Sequence, residues 1–274
     1  LIQGSGSSLF MVMRVTMLQD ILKPEERGRI LGYYQAFMLI GGSAGPTIGG
    51  ITAQYWGITA PFLVYGVGSV ICIVLSYFLV PETRNYGSLE QSHAKEAQGF
   101  SFSVMGRLLG KNSTFLTACI ASFVAFLERT GLRVTLLPLF SNVELKLATA
   151  EIGYAISFAT FTNLLLTIPF GHALDRFGRK AILVPSLVFL GITSLFFPFI
   201  FGFFQLAFIC IVLGVGEAGT MQSPLTLASD ATMNEPHGVA MALYRVFGDV
   251  GYVFGPFMVG VLSDAFGLRF PFSV

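Results

Sequence analysis

Long apolar runs without charged residues dominate the pattern along the chain. The run from Ala181 to Gly216 contains 36 residues and no Asp, Glu, Lys or Arg. A helix of that length would be about 54 Å long, whereas the hydrocarbon core of a bilayer is about 30 Å thick. The run is therefore predicted to cross a membrane twice, with a break near Pro198 and Gly202.

Similar runs predict further membrane-spanning helices. Phe62–Val80 and Ile152–Phe170 are each 19 residues long and uncharged, which fits one crossing apiece. Continuous apolar runs favour helices over barrel strands, because barrel strands alternate between apolar and polar residues. The predicted spans lie near residues 1–19, 30–51, 62–80, 113–140, 152–170, 181–201, 205–229 and 239–262.

Composition excludes several classes of protein. Hydrophobic residues make up 54% of the chain and charged residues 11%, with a net charge of +1, whereas soluble domains carry roughly 25% charged residues. A soluble enzyme and a nucleic-acid-binding protein are therefore not expected. The cysteines and histidines show no metal-binding spacing, so the sequence predicts no metal site and no cofactor; they are Cys72, Cys119, Cys210, His93, His172 and His237.

An internal repeat predicts the domain organisation. A shift of 210 residues superimposes the first 64 residues on the last 64 with 17 identities, and the Gly45-Pro46 pair falls on Gly255-Pro256. Duplicated membrane halves are a recurring plan of secondary transporters. The chain is expected to be a fragment of a longer protein. Its predicted parts are three spans of a first six-helix bundle (1–80), a polar linker (81–112), and a second bundle with five spans and the start of a sixth (113–274).

Basic residues predict the orientation in the membrane. Ten Lys and Arg residues fall in the loops on one side and two in the loops on the other, so the linker and the basic loops are expected in the cytoplasm. The sequon Asn112-Ser113-Thr114 would then lie on the wrong side for glycosylation, and it is interpreted as a chance match.

The basic loop at residues 171–180 contains a specific motif. It reads Gly-x-x-x-Asp-Arg-x-Gly-Arg-Lys and resembles the signature of the major facilitator superfamily at every defined position, namely Gly171, Asp175, Arg176, Gly178, Arg179 and Lys180. The resemblance implies an all-α membrane protein with an incomplete two-bundle fold, in which this loop latches the cytoplasmic helix ends. The expected partners are Asp230 for the arginines and the helix start at Arg27 for Asp175, while Asp20 and Arg245 would serve the other half. The alternative is a loop that only anchors the topology.

A glycine-rich span carries the second motif. Its residues are Gly41, Gly45, Pro46, Gly49 and Gly50, and it resembles the motif of the proton-coupled antiporter branch of the superfamily, which contains many drug exporters. The resemblance favours efflux. The alternative is close helix packing by small residues.

Charged residues inside predicted spans are candidate functional groups, because each costs about 2.5 to 3.5 kcal/mol to insert at mid-membrane. They are Arg14, Glu128, Arg129, Arg133, Glu217, Arg245 and Asp249. Arg129 and Arg133 lie about 40° apart on a helix, and Glu128 lies about 100° from Arg129. A buried carboxylate without a close cation suits a proton carrier, so Glu128 and then Glu217 are the predicted protonation sites.

Static ion pairs are the alternative for these charges. Glu128 and Glu217 could pair with Arg129, Arg133 or Arg14, and Arg245 could neutralise Asp249 on the same helix. The resemblance implies that the spans with Arg14, Glu128 and Glu217 line a central cavity.

The sequence as a whole predicts a proton-coupled secondary transporter of the plasma membrane. It would be a monomer that exports a small organic compound by alternating access. One alternative is an organic-anion carrier that uses Arg14, Arg129 and Arg133; another is a membrane receptor that transports nothing.

Overall fold

The computed structural model of the protein describes residues 24–79, 102–232 and 237–273, together with Gly6. All regular structure in these ranges is helical, which confirms the predicted all-α class. In chain order the helices are α1 (Pro24–Trp56), α2 (Ala60–Leu79), α3 (Phe102–Lys111), α4 (Ser113–Val143), α5 (Thr149–Phe177), α6 (Arg179–Phe199), α7 (Phe203–Ala231) and α8 (His237–Phe266).

The seven helices other than α3 are long and apolar enough to cross a membrane. The long uncharged run divides as predicted: α6 ends in the 3₁₀ turn Phe197–Phe199, and α7 begins after Gly202. Several helices extend beyond the predicted spans. Helix α5 continues to Phe177 and ends at Gly178, whose φ of +90° is a conformation that glycine adopts most readily. Apart from Gly6, the predicted span at 1–19 lies outside the described residues.

The described residues divide into two compact units. Residues 24–38 and 62–79 belong to one unit, and residues 39–61 together with those from 102 onward belong to the other. No residue of α2 is buried, although its sequence is almost wholly apolar, as expected for a surface that faces lipid. The sequence-based division at residues 80 and 112 stays a prediction.

Two apolar clusters hold the larger unit together. The first includes Leu136 and Phe140 of α4, Leu206 of α7 and Phe272 in the 3₁₀ turn after α8. Phe272 stacks on Phe197, with ring centroids 4.9 Å apart, and this contact ties the α6–α7 turn to the chain after α8.

The second cluster includes a helix that lies within the predicted linker 81–112. Residues 102–111 form the amphipathic helix α3, and Leu108 is 1% exposed among Phe115 of α4 and Leu243 of α8. Met105 and Leu109 pack against the same cluster because they share a helix face with Leu108. Residues 81–101 lie outside the described ranges.

Helices α4 and α8 approach closely at a pair of glycines. A Cβ atom added at Gly255 would lie 2.8 Å from the Gly131 nitrogen and 2.6 Å from Thr130 Oγ1. A Cβ atom at Gly131 would lie 2.9 Å from the Gly255 carbonyl oxygen. Any larger side chain must therefore push the two backbones apart.

We expect Gly255→Ala to destabilise the protein by about 1–3 kcal/mol, because the added methyl group overpacks the α4–α8 contact. Gly260→Ala on the same helix is the matched control, since none of the described residues places a heavy atom within 4 Å of its Cβ position. Thermal unfolding in detergent measures both variants. Equal melting temperatures for the two variants would contradict the close contact.

Candidate functional site

A buried ion pair joins α4 and α7 inside the larger unit. The guanidinium of Arg133 donates through Nη1 to Oε2 of Glu217 and through Nη2 to Oγ1 of Thr160 on α5. The side chain of Arg133 is 5% exposed and that of Glu217 is fully buried. A single ion pair thus brings together polar groups from three membrane-spanning helices.

Further polar side chains extend this pair along the α5–α7 contact. Asn163 Nδ2 lies 3.4 Å from Glu217 Oε2, and the Thr167 hydroxyl donates to the Asn163 carbonyl oxygen at 2.8 Å. The amide of Gln222 on α7 donates to the Thr167 carbonyl oxygen at 3.1 Å. Among the described residues, Oε1 of Glu217 has no hydrogen-bond partner. The hydrogen bonds that the Glu217 carboxylate accepts therefore all reach Oε2.

Glu128 lies beside this cluster and differs from Glu217 in its bonding. Both carboxylate oxygens of Glu128 are buried, and neither has a hydrogen-bond partner in the part of the chain that the structure describes. Arg129, Arg133 and Glu217 are the charged groups close enough to act on it electrostatically. Its neighbour Arg129 instead places Nη1 at 3.2 Å from the Met221 sulfur on α7.

The backbone changes its winding immediately after Glu128. Residues Arg129–Leu136 form a π-helical segment, and the Leu137 amide bonds to the Leu132 carbonyl, five residues back. Such segments are rare and are frequent at functional sites. The wider turn alters the directions of the side chains that follow Glu128, so the angles that a regular α-helix predicts for Arg129 and Arg133 do not apply here.

Two further charges predicted inside the membrane, Arg245 and Asp249, pair with each other on α8. Asp249 accepts from Arg245 Nε at 3.2 Å, one helical turn away on α8, which is the pairing that the sequence left as an alternative. Arg14 lies outside the described residues, as does Asp20, and the side chain of Arg27 is likewise not described.

The signature loop forms a small ion-pair network at the other end of α5. Arg179 donates from Nε to Asp230 Oδ2 on α7 at 2.8 Å and from Nη1 to Asp175 Oδ1 at 3.1 Å. The same Nη1 lies 3.0 Å from the Leu174 carbonyl oxygen, which caps the end of α5. We call Asp175, Arg179 and Asp230 the gate cluster.

The other signature residues surround the gate cluster. Gly178 supplies the turn between α5 and α6, and a Cβ atom at Gly171 would lie 3.6 Å from Gln222 Oε1. The Arg176 guanidinium lies 5.4 Å from the centroid of the Phe177 ring. Lys180 is exposed.

The glycine-rich motif lies on α1 and contacts α5 at one end. A Cβ atom at Gly50 would lie 2.7 Å from the Thr149 carbonyl oxygen. Next to Pro46, the Thr47 hydroxyl donates to Ser157 Oγ at 2.7 Å. The other three motif glycines have no heavy atom of the described residues within 4 Å of their Cβ positions; they are Gly41, Gly45 and Gly49.

Comparison with known proteins agrees with these features. The family model of the Major Facilitator Superfamily matches residues 1–150 and 118–274, so the two matches together cover the whole chain. The chain belongs to the major facilitator superfamily. It is accordingly a multi-pass membrane protein, and its helical fold is an incomplete form of the superfamily fold.

Three relatives illustrate the similarity within the superfamily. Multidrug resistance protein 2 of Bacillus subtilis is 24% identical over 276 aligned positions, which cover 99% of this chain and 67% of the relative. An uncharacterized MFS-type transporter, MJ1560, of Methanocaldococcus jannaschii is 24% identical over 258 positions, 90% of this chain and 62% of the relative. Multidrug resistance protein MdtG of Salmonella arizonae is 25% identical over 252 positions, 90% of this chain and 60% of the relative. The chain thus spans about three fifths to two thirds of each relative.

The sequence did not lead to the uncharged polar residues of the buried cluster. The prediction selected the charged residues and treated 152–170 as a uniform apolar span, although Thr160 and Asn163 lie three residues apart within it. That spacing places two polar side chains on one helix face. The π-helical segment and the contact of Arg129 with Met221 left no comparable signal in the sequence.

We expect Arg133→Leu to lower the stability of the protein by about 3–5 kcal/mol, because it leaves the Glu217 carboxylate buried without its cation. The double variant Arg133→Leu with Glu217→Gln removes both charges and should recover most of that loss. Thermal unfolding in detergent measures the three proteins. A double variant no more stable than Arg133→Leu would show that the pair does not act as an electrostatic unit.

Proposed function

We propose that the protein is a secondary transporter that couples proton movement to the efflux of a small organic compound. The observation that carries the proposal is the unbonded, buried carboxylate of Glu128 beside the fixed Arg133–Glu217 pair. A carboxylate without hydrogen bonds in a water-poor interior is stabilised when it binds a proton, and it can release that proton when water or a cationic group reaches it. Such a group can alternate between two protonation states within a transport cycle.

Glu217 fits the role of proton carrier less well than Glu128 does. Its Oε2 accepts from Arg133 and lies within reach of Asn163, so the carboxylate already serves as the counter-ion of a buried cation. Protonation of Glu217 would leave Arg133 as a buried cation without its partner, which is costly. We therefore assign the proton to Glu128 and a structural role to the Arg133–Glu217 pair.

The gate cluster supports alternating access. Arg179 joins the end of α5 to the end of α7 through Asp230 and is also bonded within its own loop. Both ion pairs are partly exposed, so water can replace them at low cost when the helix ends separate. In this proposal the gate cluster lies on the cytoplasmic side, which is supported by the excess of basic residues in the loops on that side. The protein would act as a monomer in the plasma membrane.

The relatives guide the proposed cargo. Two of them are named multidrug resistance proteins, and the carboxylate of Glu128 would attract a cationic compound and tolerate a neutral one. An organic-anion carrier is less well supported. Glu217 neutralises the charge of Arg133, and the guanidinium of Arg129 lies against the Met221 sulfur. We accordingly propose a small, moderately apolar compound as the substrate.

Replacement of Glu128 by Gln in the intact transporter should abolish transport driven by a pH gradient, because the amide keeps the size of the side chain but cannot bind and release a proton. Substrate efflux from proteoliposomes with an imposed pH gradient measures this. Glu144→Gln, at a partly exposed site beyond the end of α4, is the matched control and should transport normally. Undiminished gradient-driven transport by the Glu128→Gln protein would remove Glu128 from the mechanism.

The cargo class can be tested in the same proteoliposomes. A lipophilic cation and a neutral analogue should both be transported by the unmodified protein, whereas an organic anion of similar size should not. Preferential transport of the anion would favour the organic-anion carrier. Absence of movement of every compound, together with binding of one of them, would favour the receptor.

A further inference from the structure

Asn112 joins two helices that are far apart in the sequence. Its Oδ1 accepts from the Phe115 amide at 3.0 Å and caps the start of α4. Its Nδ2 donates to the carbonyl oxygen of Ala231, the last residue of α7, at 2.7 Å. Both the oxygen and the nitrogen of the side-chain amide are therefore hydrogen-bonded. Asn112 thus has a structural role, although the sequon to which it belongs was interpreted as a chance match.

The second bond is more than the cap of α4 requires. An N-cap side chain needs only an acceptor oxygen, and Asp or Ser serves as well as Asn. The amide of Asn adds a separate NH₂ donor beside its acceptor oxygen, whereas a Ser hydroxyl accepts and donates through one and the same oxygen. The carbonyl oxygens in the last turn of a helix lack partners within that helix, so Asn112 satisfies one of them at the end of α7.

The end of α7 is also where the gate cluster lies. Asp230, which accepts from Arg179, directly precedes Ala231. The next residue, Thr232, is fully buried and donates to the Ala228 carbonyl oxygen at 2.8 Å. The position of Ala231 thus fixes the direction from which Asp230 meets Arg179.

Helix α3 fixes Asn112 from the other side. The backbone N–H of Asn112 donates to the Leu108 carbonyl oxygen at 3.3 Å, and the side chain of Leu108 is buried against residues of α4 and α8. A displacement of α3 would therefore move Asn112 and, through it, the end of α7.

We propose that Asn112 is a positioning residue that couples helix α3 to the gate cluster by holding Ala231 and hence Asp230. The cluster's role as a gate rests on the proposed function, but the coupling itself is a property of the fold. Because α3 belongs to the segment that joins the two predicted halves, this contact would make the strength of the Arg179–Asp230 pair depend on where that segment lies.

Two substitutions separate the cap from the coupling. Asn112→Asp and Asn112→Ser both keep an acceptor for the Phe115 amide, while neither can donate an amide hydrogen to Ala231. Asn142→Asp is the matched control, because Asn142 is exposed at the opposite end of the same span. Amide hydrogen exchange of the intact protein in detergent measures the local opening of each segment and needs no transport.

We expect both Asn112 variants to speed exchange roughly two- to tenfold at residues 226–232 and 171–180, as loss of one net hydrogen bond would. Exchange at the start of α4 should stay unchanged, and the Asn142→Asp protein should exchange as the unmodified one does. Unchanged exchange at residues 226–232, or faster exchange only at the start of α4, would overturn the proposal.

A double-mutant cycle tests whether the coupling acts through Asp230. In the intact transporter Asn112→Asp should lower kcat with little change in KM, and it should have no further effect when combined with Asp230→Asn. Equal reductions of kcat in both backgrounds would contradict action through Asp230. A protein that transports nothing but shows the expected exchange pattern would refute the proposed function and leave the coupling supported.

Discussion

The buried ion pair between Arg133 and Glu217 is the constraint on which the rest of the site depends. Neither charge is stable without the other inside the membrane, because an isolated ion loses its hydration there and gains no interaction that compensates for that loss. The pair therefore fixes α4 against α7, and Thr160 and Asn163 fix α5 against both. Arg133 is engaged by Glu217, and Glu128 keeps a buried carboxylate to which no described side chain or backbone group donates a hydrogen bond. In the proposed function the Arg133–Glu217 pair stays fixed while its neighbour Glu128 changes its protonation state.

The π-helical segment and the glycine contacts hold the residues of this proposed division of roles in position. The segment begins immediately after Glu128, so Arg129 turns toward the Met221 sulfur while Arg133 reaches Glu217. On the side of α4 that faces α8, Gly131 lies against the Gly255 backbone within the same segment. The change in winding is thus held in place by close packing, and both arginines face α7, where their partners Met221 and Glu217 lie one helical turn apart.

The sequence predicted the fold further than it predicted the site. Uncharged runs of membrane length and the Gly171–Lys180 motif were sufficient for the all-α class and for the superfamily, because span length and the cost of buried charge are strong constraints. The cost of buried charge also pointed to Glu128, Glu217 and Arg133 as functional candidates. It did not predict which arginine would pair with which carboxylate. That choice depends on the winding of α4 and on Thr160, and neither follows from local propensity. Helix α3 was missed for a related reason: ten residues with a narrow apolar face resemble a polar linker until Leu108 has a surface to bury against.

The central proposal is that Glu128 holds the exchangeable proton while Glu217 stays paired with Arg133. Infrared difference spectroscopy of the intact protein, recorded across a change in pH or on substrate addition, detects the carbonyl stretch of a protonated carboxylic acid directly. The account predicts a carboxylic acid band that disappears in the Glu128→Gln protein and persists in the Glu217→Gln protein. A band that persists without Glu128 and disappears without Glu217 would contradict it.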